Sequence, residues 1–122
     1  MIPIPVYKNI HFIGIFMVLM ALGGLLLHAI NGGAKDHAWR KPIAITHGVG
    51  LFLILLGGFG MLARLGIFWS WPGWVAGKVA IWVILGGLVA VIFRKPTLAK
   101  PLWWLTLALA ALAAYLGVYK PF

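Results

Sequence analysis

The chain has 122 residues, of which 64% are hydrophobic and 9% are charged, whereas soluble domains average about 45–50% apolar and about 25% charged residues. A soluble domain of this length would leave about a third of its unfolded surface facing water, and this chain has too few polar residues to cover it. Its net charge is +9, with ten Lys and Arg against one acid, and it has no cysteine. The absence of cysteine excludes disulfides, thiolate metal sites, iron–sulfur clusters and covalently attached haem.

Prolines and charged residues separate four apolar segments, each near the roughly 20 residues that a helix needs to cross a bilayer. The connectors are short and contain helix-stop signals, so consecutive helices are expected to be antiparallel neighbours. We therefore predict an all-α fold, an integral membrane four-helix bundle of up-down-up-down topology that forms a single transmembrane domain over residues 1–122. The predicted spans are about 10–30, 43–64, 74–93 and 102–119.

Most of the positive charge lies in the loops that join spans one to two and three to four. Cytoplasmic loops carry the excess of Lys and Arg in membrane proteins, so these loops are expected in the cytoplasm of a bacterium and both termini outside its inner membrane. The charges are also expected to attract the lipid bilayer. They are not gathered on one face with aromatic residues, which argues against nucleic acid as a partner. The loop cations are Lys35, Arg40, Lys41, Arg94, Lys95 and Lys100.

Glycines occur in pairs inside three of the spans, at Gly23-Gly24, Gly57-Gly58 and Gly86-Gly87. Small residues let helix backbones approach closely in a membrane, which favours tight helix packing. The same residues would also leave room for a flat ring, such as a porphyrin, to lie against the backbone. The sequence leaves both interpretations open.

The polar residues of the first two spans predict two polar layers, one near each surface of the membrane. His11 and His28 end a seam that steps by three and four residues along the first span, and His47 and Arg64 end a similar seam in the second. Each pair is separated by 17 residues, or roughly 25 Å of helix. Antiparallel packing then predicts that His28 lies level with His47 near the inner surface. It also predicts that His11 lies level with Arg64 near the outer surface, where Lys78 of the third span joins them.

The inner pair, His28 and His47, consists of candidate axial ligands for a b-type haem between neighbouring helices. The other interpretation is that both are interfacial histidines bonded to backbone carbonyls or lipid phosphates. His37, in a loop beside Asp36, is expected to be solvated.

The outer pair, His11 and Lys78, is a candidate site for an anionic or redox ligand, with His11 relaying protons. A carboxylate or phenolate ligand would suit these groups. The other interpretation is that Lys78 extends its charge into the lipid headgroups. The chain's one acid lies in a loop, so catalysis by paired carboxylates is excluded.

Three short motifs resemble the HemJ-type protoporphyrinogen oxidases: YKNIH at 7–11, WVAGK at 74–78 and VYKPF at 118–122. The resemblance implies four core spans, bound haem b and dependence on His11 and Lys78. The chain departs from that family at the start of the last span, where it has WWLT at 103–106 instead of an Asn-Glu-x-Pro motif.

The chain is also similar to the SirB family of small four-span membrane proteins. In that family a first-span His and a third-span Lys recur at the places of His11 and Lys78, and a second-span His matches His47. This similarity runs over nearly the whole chain.

We expect a small polytopic inner-membrane protein that binds a b-type haem or related porphyrin and serves membrane redox chemistry. His11, His47 and His28 are the candidate ligands of the haem iron, and Lys78 is a further candidate cofactor-binding residue. The alternative is a non-catalytic structural or accessory subunit that packs against larger partners in a respiratory or photosynthetic membrane complex. Other membrane-protein subunits are then further expected partners. A transporter has less support, because the midplane of the predicted spans is apolar.

Overall fold

The computed structural model describes residues 2–34 and 36–121. Its long helices are α1 (Ile4–Ile30), α2 (Arg40–Arg64), α3 (Gly73–Arg94) and α4 (Ala99–Tyr119), with a short 3-10 helix at Pro96–Leu98. The regular structure of the described residues is all helical, which confirms the predicted fold class. All four long helices are long and apolar enough to cross a membrane. The chain is a multi-pass membrane protein.

All four long helices begin before the predicted span starts, and three of them contain proline in the first helical turn, where it is tolerated because no intrahelical N–H donor is needed. Pro5, Pro42 and Pro101 each lie in the first turn of a helix rather than before it. Glycine in a left-handed conformation follows the ends of α1 and α2, with φ of 73° at Gly32 and 74° at Gly66. These glycines end the helices and allow the chain to turn back.

Helix α1 is the hub of the bundle, because it packs against α2, α3 and α4. Within the described residues α2 contacts α1 and α3 but not α4. The core lies mostly between α1, α3 and α4, and its largest fully buried side chains are Val18, Leu22, Leu26 and Ile92. The interface between α2 and α3 is narrow, so it depends on a few side chains.

The outer surface of the bundle is apolar and aromatic. Phe16, Met20 and Phe52 are 64%, 75% and 61% exposed, which in water would form a patch prone to association. In a bilayer these side chains face the lipid hydrocarbon. The exposed apolar surface therefore agrees with a membrane-embedded chain.

Candidate functional site

Helices α1 and α2 interlock through glycines on both sides. A methyl group on Gly14 would lie 2.7 Å from the carbonyl oxygen of Gly50 and from the amide nitrogen of Ile54. A methyl group on Gly50 would lie 2.9 Å from the carbonyl oxygen of Gly14 and from the side chain of Val18. At these positions the glycines serve close backbone packing, although neither belongs to the glycine pairs that the sequence singles out; of those pairs, Gly57 makes a backbone contact of this kind.

The same contacts fix the register of the two helices. A methyl group on Gly57 would lie 2.5 Å from the amide nitrogen of His11 and 2.5 Å from the carbonyl oxygen of Tyr7. His11 is therefore level with Gly57, and the predicted pairing with Arg64, seven residues further along, is wrong. Sliding one helix by seven residues, roughly 10 Å, leaves a heptad seam intact. The seven-residue spacing allows several registers, and the spaces left by the glycines determine which of them forms.

The predicted inner pair is not assembled in this register. His47 is buried, and its Nε2 donates a hydrogen bond to the Leu85 carbonyl of α3 at 3.3 Å. His28, in the last turn of α1, donates from Nε2 to the Ala34 carbonyl at 2.7 Å. Both Nε2 atoms, which would have to face an iron, are thus engaged by backbone carbonyls. These contacts favour the interpretation of His28 and His47 as histidines bonded to the backbone.

His37 is not solvated as expected. Its ring stacks on that of His28 with centroids 4.0 Å apart, and its Nε2 is buried without a hydrogen-bond partner among the described residues. The loop can fold back in this way because Gly33 has no side chain. A Cβ atom at Gly33 would collide with the His28 ring.

His11 is held in a different arrangement. Its ring is 6% exposed, and Nδ1 donates to the carbonyl oxygen of Ile54 on α2 at 2.9 Å. In a neutral imidazole this bond places the proton on Nδ1 and leaves a lone pair on Nε2. A backbone carbonyl on Nδ1 is the usual way in which proteins orient a histidine that binds a metal or moves a proton through Nε2.

Lys78 lies on α3, half-buried against the end of α4. A methyl group on Gly117 would lie 2.9 Å from its Nζ. Helices α1 and α3 contact each other, and His11 is the eighth residue of α1 while Lys78 is the sixth residue of α3. His11 and Lys78 thus lie at the same end of the bundle, whereas the chain's one acid, Asp36, lies in the loop at the opposite end.

A tryptophan that the sequence analysis did not single out bridges α2 and α3. Trp82 donates from Nε1 to the carbonyl oxygen of Leu51 at 3.0 Å, beside the bond from His47 to Leu85. Most tryptophans of a membrane protein lie at the interfaces, and Trp82 lies in the middle of α3. An indole N–H at that depth needs a hydrogen-bond partner. A tryptophan in the middle of a predicted span is therefore the sequence signal for this contact.

We expect Trp82→Phe to destabilise the protein by about 0.6 kcal/mol and by at most about 1.7 kcal/mol, which are the average and the maximum for hydrogen bonds between membrane helices. The measurement is unfolding in mixed micelles of mild detergent and dodecyl sulfate. Trp104, which is 67% exposed, provides the control, because Trp104→Phe removes an indole of the same kind that has no role in this bridge. Equal stability of the two variants would contradict a bridging role for Trp82.

Several glycines make room for the protein's own rings. The Tyr7 ring lies on Gly60 and the Trp103 ring lies over Gly23, at 3.9 Å from the position of a Cβ atom. Two cavities in the described chain measure about 200 and 30 Å³, which is below the roughly 300–1,000 Å³ of typical small-molecule pockets. A bound porphyrin would therefore need to displace side chains that now fill these gaps.

Comparison with protein-family models, curated proteins and solved structures gives no match. The resemblance to the HemJ-type and SirB proteins rests on the motifs described above.

Proposed function

We propose that this chain is a small polytopic protein of the bacterial inner membrane that binds a b-type haem or related porphyrin at His11 and Lys78 and serves membrane redox chemistry. The observation that carries the proposal is that a cation and an imidazole lie inside spans at one end of the bundle, in a chain whose single acid lies at the other end. A charge in a membrane span is costly unless a partner compensates it. Among the described residues no Asp or Glu side chain lies at this end of the bundle, and the carboxylates of a porphyrin would supply negative charge there.

The four candidate residues differ in how well they fit such a ligand. His11 would fit as a ligand of the haem iron, because its Nδ1 is anchored to Ile54 and its Nε2 keeps a lone pair. Lys78 fits as the partner of a carboxylate. His28 and His47 do not fit as a ligand pair, because each Nε2 is bonded to a carbonyl oxygen. A bound haem would supply one-electron chemistry, while the chain would hold it, orient it and exclude water.

The test is the visible absorption spectrum of the whole protein, purified from haem-replete cells and recorded in oxidised and reduced form. A Soret band is expected, without the sharp reduced α and β bands of bis-histidine ligation. Absence of a Soret band, together with no spectral change when haem is added to the purified protein, would overturn the proposal.

The accessory-subunit alternative is favoured by one face of α3. Its small residues step by four and three positions along the helix, are exposed in this bundle and would allow a partner helix to approach closely. Under this alternative, His11→Ala and Lys78→Ala leave assembly intact. Gly87→Leu would instead remove the protein from its parent complex on a native gel. The small residues of this face are Ala76, Ala80, Gly87 and Ala90, with Val83 between them.

The proposed orientation places both termini outside and both basic loops in the cytoplasm. Fused to the C-terminus, alkaline phosphatase should be active and green fluorescent protein should be dark, because the first matures outside the cytoplasm and the second inside. Fusions at Gly66, in the loop between α2 and α3, should behave in the same way. The reverse pattern at both sites would show the opposite orientation.

A further inference from the structure

A cleft of about 200 Å³ lies between the end of α1 and the start of α4, away from His11 and Lys78. Leu27 and Ile30 of α1 form one side, and Lys100, Trp103 and Trp104 of α4 form the other. Leu27 is 52% exposed and Trp104 is 67% exposed, so the cleft opens on the outer surface of the bundle.

The position of the cleft matches the boundary between lipid headgroups and acyl chains. Ile30 is the last residue of α1 and Lys100 is the second residue of α4, so the cation lies at the end of the spans. The apolar side chains lie deeper, where Trp103 packs over Gly23. The cleft thus places one positive charge above an apolar wall, as a single phospholipid would require.

The positive charges around the cleft favour an anionic lipid headgroup. The end of the bundle that contains Lys100 also carries the basic loops, with Asp36 as the chain's one acid. Lys100 is exposed, and a cation near the membrane surface attracts anionic lipids. A zwitterionic headgroup would bring its own positive charge close to Lys100 and the basic loops, so it would be attracted less strongly.

We propose that this cleft binds one anionic phospholipid, with the phosphate on Lys100 and an acyl chain along Leu27 and Ile30. The occupant is a membrane lipid rather than free phosphate, because the cleft is largely apolar and offers a phosphate ion a single cation. The proposal does not depend on the porphyrin site.

The test is native mass spectrometry of the full chain in mild detergent, with phosphatidylglycerol and phosphatidylcholine of identical acyl chains as probes. We expect one molecule of phosphatidylglycerol to be retained and phosphatidylcholine to bind at least fivefold more weakly. Lys100→Gln should weaken the binding of phosphatidylglycerol about fivefold, the factor that corresponds to about 1 kcal/mol per cation near a membrane surface. Lys100→Arg should restore binding, and elution volume and helical circular dichroism confirm that each variant is folded.

Lys41→Gln is the matched control, since Lys41 is an exposed cation at the same end that does not line the cleft. It should bind phosphatidylglycerol as the unmodified chain does. The proposal would be overturned if the two lipids bound equally, or if Lys41→Gln and Lys100→Gln weakened phosphatidylglycerol binding equally. Displacement of the lipid by millimolar inorganic phosphate would also overturn it.

Discussion

Gly57→Ala is expected to destabilise the protein by about 1–3 kcal/mol, the usual cost of forcing an extra methyl group into a well-packed interface. In water-exposed helices this substitution stabilises instead, by up to about 1 kcal/mol. The sign is reversed here because the new methyl group would lie 2.5 Å from the His11 amide nitrogen and the Tyr7 carbonyl oxygen. Both are backbone atoms of α1, so the two helices must separate.

Gly48→Ala is the matched control on the same helix. No atom lies within 4 Å of the position that its Cβ would occupy, so the substitution should be neutral or slightly stabilising. The free energy of unfolding is measured for both variants in mixed micelles, followed by circular dichroism. If the two substitutions change it equally, α1 and α2 do not pack in the register described here.

The sequence predicts the number, order and type of the elements because length and hydropathy decide them. Four apolar segments near the length of a bilayer span yield four helices, and the short connectors make consecutive helices antiparallel. The helix starts are less predictable, because Pro5, Pro42 and Pro101 can either precede a helix or occupy its first turn.

The candidate site was predicted less well than the fold, for one physical reason. A seam with a period of seven residues has the same appearance in every register that differs by seven, so His11 could face either Arg64 or Gly57. The choice depends on which gaps the side chains fill, and that depends on the three-dimensional shapes of both helices. The haem pair of His28 and His47 was derived from the wrong register. Lys78, assigned to the outer layer by its place one turn into the third span, does lie at the same end of the bundle as His11.

His11→Ala is expected to abolish the Soret band of the purified protein, whereas His28→Ala and His47→Ala should retain it. The reason is the free lone pair on Nε2 of His11, against the carbonyl-bonded Nε2 atoms of the other two. Lys78→Gln should keep the band and weaken haem affinity about 10- to 150-fold, since a charged hydrogen bond contributes about 1.5–3 kcal/mol. The measurements are absorption spectra of each purified variant and haem titrations of the apoprotein.

His11 also packs against Gly57 and bonds to Ile54, so His11→Ala could lose haem by loosening the bundle. Added imidazole separates the two causes, because it can replace a missing ligand but cannot restore helix packing. Recovery of the Soret band with imidazole assigns His11 as the ligand. Loss of the band in His28→Ala but not in His11→Ala would move the site to the inner end of the bundle. If the unmodified chain shows no band while His11→Ala still assembles with its partners, the accessory-subunit alternative is the better account.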